Sequence, residues 1–70
     1  MDKFKYALIQ QRREKLNLTQ FDLAYEMCRL GTDVTPSTIH SWENGTTSPD
    51  ADKVPGLAKA LQIPVEDFYA

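Results

Sequence analysis

Most of the side chains in this chain that could act on a partner lie between residues 35 and 47, in TPSTIHSWENGTT. His40 is the only histidine, and it stands beside Ser41, the residue types of a base and its nucleophile. Neighbours on a helix point away from each other around the axis, so this pair is not poised for proton transfer. No glycine-rich phosphate loop and no metal-ligand spacing occurs. The carboxylates stand at separate helix starts, where they act as caps. No catalytic residue, metal or cofactor is therefore expected, and the chain does not read as an enzyme. The stretch offers short hydrogen-bonding groups instead: the hydroxyls of Thr35, Ser37, Thr38, Ser41, Thr46 and Thr47, the Asn44 amide and the His40 imidazole.

The elements carrying these groups must be small. Seventy residues, 41% hydrophobic and 26% charged, suit one domain with a single core. No apolar run approaches the length of a membrane span, and MDKFKYALIQ lacks the pattern of a secretory signal, so a cytoplasmic location is expected. Cys28, the only cysteine, lies in the apolar stretch FDLAYEMC and is expected to be a buried hydrophobe. The formal charge of −2 is unevenly distributed. Residues 1–29 hold six basic side chains against four acidic ones, and residues 30–70 hold two against six.

Helical spacing recurs along the chain, and strand-like alternation does not. Phe4, Leu8, Gln11 and Lys15 mark one face of a first helix. Thr19 is a good N-cap for a second, with Asp22 three residues on and Gly31 closing it in a left-handed conformation. Thr35-Pro36 starts a third helix, about 36–43, which ends at Asn44-Gly45. Ser48-Pro49 starts one helical turn, and Pro55 a fresh helix, because a proline within a continuous helix costs about 3 kcal/mol. Pro64 opens a last short helix that lays Phe68 over the core. Five short helices predict an all-α bundle. Its core is assigned to Leu16, Leu18, Phe21, Leu23, Met27, Val34, Ile39, Trp42, Leu57, Leu61 and Phe68.

Four fragments then occur in a particular order: LTQFDLA, PSTIHSWENG, SPD and LAKALQIPVEDF. Together they resemble the lambda repressor and Cro-like (XRE-type) helix-turn-helix family of transcription regulators, over nearly the whole chain from Leu8 to Phe68. The resemblance implies that helices two and three form a DNA-binding pair, with helix three in the major groove and helix two crossing the backbone. It places Gln20 at a phosphate. Thr35, Ser37 and Ser41 fall where relatives touch bases or backbone, His40 lies on the exposed side of the same helix, and Thr38 is a further candidate for base reading. Asn44, Thr46 and Thr47 fall in a phosphate-binding loop whose amides and short polar groups make contact. Arg13 and Glu43 match a structural ion pair that ties helix three to helix one. The function implied is a sequence-specific regulator, bacterial or phage-type, that binds double-stranded DNA as a homodimer.

Two features depart from the family pattern. Between Ala24 and Ile39 the chain carries about five extra residues, expected as another turn on helix two through Arg29 with GTDV as the connection. From Leu30 to Asp52 there is no Lys or Arg, although neutralised phosphates dominate DNA affinity and Arg or Lys on guanine is the strongest base contact. A second function follows from that deficit: a protein-interaction module, antitoxin-like or a co-regulator, whose acidic half meets a basic partner.

Overall fold

The structure, a computed structural model, describes residues 4–69. They form four α-helices, α1 (Ala7–Lys15), α2 (Gln20–Arg29), α3 (Pro36–Glu43) and α4 (Val54–Leu61), followed by a single 3-10 turn, Val65–Phe68. No strand occurs among the described residues. The all-α expectation stands, with four α-helices rather than five. The segment after Pro49 is not helical: Asp50 accepts one turn-type bond from the Lys53 amide (2.8 Å), and the helix begins only at Val54. Pro55 thereby lies in the first turn, where its missing N–H and its ring disturb no helical bond. The last element keeps its expected place but winds as 3-10, with Phe68 fully buried.

Local chemistry explains the helix boundaries. Thr19 accepts from the Asp22 amide at 3.0 Å and Asp22 accepts in return from the Thr19 amide at 3.0 Å, a reciprocal capping box. Thr35 caps α3 through the Thr38 amide, with Pro36 at its first position. All four α-helices close alike. Asn17, Gly31, Gly45 and Gln62 take positive φ (60°, 100°, 74° and 61°). At each, the next residue's amide reaches back five residues: Leu18 to Arg13, Thr32 to Met27, Thr46 to Ser41 and Ile63 to Ala58. This motif satisfies carbonyls that the end of a helix otherwise leaves bare.

The core gathers Ile9, Leu23, Ala24, Met27, Ile39, Trp42, Val54, Leu57, Ala58, Ala60, Leu61 and Phe68. Each large aliphatic or aromatic side chain there contributes roughly 1.5–3 kcal/mol of transfer free energy. Three expectations fail. Phe21 is 68% exposed, and Cys28 is exposed too. Both belong with Tyr25 to an outer stripe of α2, spaced at four and three residues, while Leu23, Ala24 and Met27 take the inner stripe. On α1 the inward residue is Ile9, flanked by half-buried Arg12 and Arg13, whereas Gln11 and Lys15 are exposed. Phe4 precedes α1 and stacks on Phe68, with centroids 4.8 Å apart and planes 14° from parallel. Leu16, Leu18 and Val34 are half-buried at the edges.

Candidate nucleic-acid interface

Helix α3 divides by face. Ile39, Trp42 and Glu43 are buried, while Ser37, His40 and Asn44 are exposed, with half-buried Ser41 between them on the same outer side. Thr35 and Thr38 stand apart from that set. The Thr35 hydroxyl accepts from the Thr38 amide (3.2 Å), and the two hydroxyls lie 3.0 Å from each other. Their polar groups close the helix start before they can meet a partner.

A chain of hydrogen bonds runs from the interior to this outer face. The Arg13 guanidinium donates to both Glu43 oxygens, from Nε to Oε2 at 2.7 Å and from Nη2 to Oε1 at 3.2 Å. Its Nη1 donates to the Leu18 carbonyl at 2.8 Å, so one side chain clamps α1, the turn before α2, and α3. Hydrogen bonding to Glu43 lifts the Arg13 pKa above its ordinary value, against the desolvation that lowers it. Gln20, the first residue of α2, donates from Nε2 to Glu43 Oε1 at 3.0 Å and lies 3.3 Å from His40 Nδ1. His40 Nε2 in turn lies 3.0 Å from the Asn44 amide.

The charge-assisted bond to Glu43 fixes the Gln20 amide with its NH2 inward, so His40 Nδ1 accepts its second hydrogen. The Asn44 amide nitrogen stands at the other ring nitrogen, Nε2. Gln20 has a different status from the one expected. Both of its amide hydrogens are committed, one to Glu43 and one to His40, and the oxygen that remains is an acceptor that a phosphate repels. In this arrangement Gln20 positions His40.

The loop after α3 also differs from expectation. The amides of Asn44 and Gly45 bond to the carbonyls of His40 and Trp42, at 3.1 Å each, and those of Thr46 and Thr47 both bond to Ser41. These amides close the helix and are not free for an anion, whereas the exposed hydroxyls of Thr46 and Thr47 are. The cations of helix one are likewise partly spent. Arg12 donates from Nη2 to the Leu61 carbonyl at 3.2 Å, and Arg13 serves Glu43, leaving Lys5 and Lys15 exposed. Sequence reasoning missed Lys53, which lines a cleft of about 400 Å³ with Asp33, Thr35 and Thr38 and so brings one cation, with one carboxylate, beside the start of α3. Only the fold places it there, since Lys53 lies 15 residues beyond Thr38.

Gly45 is the hinge of this loop. Its φ is +74°, and a Cβ added there would meet the Tyr6 ring at 3.0 Å. Gly45→Ala therefore combines a left-handed backbone with a crowded ring and should cost about 1–3 kcal/mol. Urea unfolding of the variant measures this, and a loss below 0.5 kcal/mol (within the roughly ±0.5 kcal/mol of a neutral surface change) contradicts it.

Among the described residues, no helix is long and apolar enough to cross a membrane, and no group of three or more metal-ligating side chains assembles. A helix-turn-helix family model matches residues 9–68, which takes in α1 from Ile9 onward, all of α2, α3 and α4, and the 3-10 turn. The chain belongs to the helix-turn-helix family. Its fold is similar to that in a crystal structure of the P22 c2 repressor protein in complex with synthetic operator 9T in the presence of Tl+. The TM-score is 0.82 at 27% sequence identity, over 96% of this chain and 94% of that one. None of the curated proteins matches the sequence. Helix α2 runs to Arg29, and residues 30–35 connect it to α3.

Proposed function

We propose that this helix-turn-helix protein is a sequence-specific DNA-binding transcriptional regulator that places α3 in the major groove and binds as a homodimer. The observation that carries it is the outer face of α3. Ser37, His40, Ser41 and Asn44 line one side of a short helix whose other side is locked to α1 and α2 by Arg13, Glu43 and Gln20. A reading surface needs such rigidity, because base contacts discriminate only when their donors and acceptors are held in place. Family membership and the likeness to a repressor held on its operator support the same function. Thr46, Thr47 and Lys53 then belong to the backbone contacts, and Thr35 and Thr38 to the shape of the helix start.

Selection from random duplexes tests this. The wild type should enrich a two-part site. Ser37→Ala should change the preference at one position of each half, by roughly the 1–3 kcal/mol of a base contact or less. Gln20→Ala should weaken binding to every duplex by about ten-fold, since it frees the His40 ring while α3 stays held by Arg13 and Glu43. Unchanged preference and affinity in Ser37→Ala contradict the assignment of the reading face.

A second function is favoured by one observation, the internal use of Arg12 and Arg13 on a chain with no Lys or Arg from 30 to 52. A protein-interaction module with a basic partner accounts for that deficit. Such a module binds no duplex even at low salt, where phosphate contacts are strongest.

A further inference from the structure

The loop 44–47 has a neighbour that is far from it in the chain. Tyr6 precedes α1, yet its ring lies against Gly45. The nearest atoms to a Cβ at that position are Tyr6 Cζ, Cε1 and Cε2, at 3.0, 3.1 and 3.2 Å. Those carbons form the phenol end of the ring, so the hydroxyl overhangs the loop. Tyr6 is 47% exposed, and none of the side-chain hydrogen bonds among the described residues uses its hydroxyl.

The ring is also held in place. Phe4 stacks on buried Phe68, and the Lys5 amide donates to the Phe68 carbonyl at 2.7 Å, so the segment before α1 is anchored at Phe4 and Lys5, next to Tyr6. Lys5 itself is exposed. The ring thus presents an unused O–H donor at Gly45, the residue that leads into the exposed Thr46 and Thr47. This matters because the loop's own amides are consumed in closing α3. A phosphate approaching this end of the helix would meet hydroxyl donors in place of free amides.

We propose that Tyr6 is a DNA-contacting residue whose O–H donates to a backbone phosphate beside the Thr46–Thr47 loop. This rests on the DNA-binding function proposed above. It adds a donor from outside the helix-turn-helix pair, and it helps a surface short of cations to grip a polyanion through neutral hydrogen bonds. Because a phosphate contact carries no sequence information, Tyr6 sets affinity and register but not base preference.

The test is Tyr6→Phe on the intact chain, with the duplex enriched by the wild type. The variant keeps the ring on Gly45, so its urea midpoint should be unchanged. Its affinity should fall about three- to ten-fold on every duplex, the usual worth of one hydrogen bond, with base preference untouched. A scan of single methylphosphonate substitutions should then find one phosphate whose neutralisation weakens the wild type but not Tyr6→Phe. Equal affinity of variant and wild type overturns the proposal, as does a scan in which every substitution weakens both proteins alike. If the wild type enriches no duplex at all, the regulator function itself fails and the proposal falls with it.

Discussion

Glu43→Ala should remove most of this protein's stability. The Glu43 side chain is 4% exposed and that of Arg13 is 12% exposed. Removing the carboxylate leaves the guanidinium with only the Leu18 carbonyl, and leaves Gln20 without the bond that orients its amide. Breaking a fully buried pair by deleting one partner costs about 3–5 kcal/mol, and a half-buried Arg13 that keeps the Leu18 carbonyl puts this loss at about the lower end. A domain of this length has only about 3–10 kcal/mol in total. Urea unfolding followed by circular dichroism should find the variant largely unfolded or with its midpoint strongly lowered. A loss below about 1 kcal/mol contradicts the buried-pair account, since that is the worth of a surface ion pair.

The double variant Arg13→Met, Glu43→Leu separates the charge from the packing. Apolar replacement of both partners is often neutral or stabilising, so much of the lost stability should return. DNA binding should not return with it. Without Glu43, nothing pins the Gln20 amide, and the His40 ring that it holds is free to turn. Stability and recognition thus share one carboxylate but come apart in the double variant. If the double variant binds the selected duplex as the wild type does, Glu43 is only a fastening and does not organise the reading face.

How much of this was legible in the chain depended on the range of each interaction. The starts of α2 and α3 were readable because Thr19 with Asp22, and Thr35 with Pro36, are complete signals within four residues. The ends at Gly31 and Gly45 were readable for the same reason, since glycine takes positive φ at little cost. Asn17 and Gln62 close α1 and α4 in the same geometry, but neither residue type announces a stop as glycine does. On α2, two apolar stripes compete, Leu23-Ala24-Met27 and Phe21-Tyr25-Cys28, and periodicity alone does not say which one faces α4. The fold decides: the first stripe meets the core and the second meets solvent.

The candidate site divides in the same way. The outward residues of α3 followed from helical spacing once Ile39 and Trp42 were placed inside. The commitment of the Gln20 amide, the use of the loop amides and the seating of Tyr6 on Gly45 did not follow. Each joins groups 20 or more residues apart or concerns backbone atoms that no side-chain pattern reports. Arg12 and Arg13 show the same limit. In the sequence they count toward a basic first helix, but in the fold their guanidinium groups bond to Leu61 and Glu43.

The largest effect on binding should come from the DNA side. On the proposed function, one protomer offers the groove a few neutral hydrogen bonds and little charge, so a single half-site should be bound weakly. Two copies engaging one duplex convert the second contact into an intramolecular event, which raises affinity by 10²–10⁴ (an order-of-magnitude range) without any new contact. The dimensions allow it. The described residues span 31 × 21 × 21 Å, and half-sites one helical turn apart are separated by about 34–36 Å. Two protomers can therefore lie side by side on one face of the duplex and touch near the centre. Scrambling one half of the selected site should lower affinity by at least about a hundred-fold. Inserting five base pairs between the halves should do nearly the same, because half a turn carries the second half-site to the opposite face. Titrations of the intact, scrambled and respaced duplexes measure both effects. Equal affinity for all three means that α3 binds as a monomer, and the shortage of cations must then be made good within one protomer, by Lys53, Lys5 and the hydroxyls around the 44–47 loop.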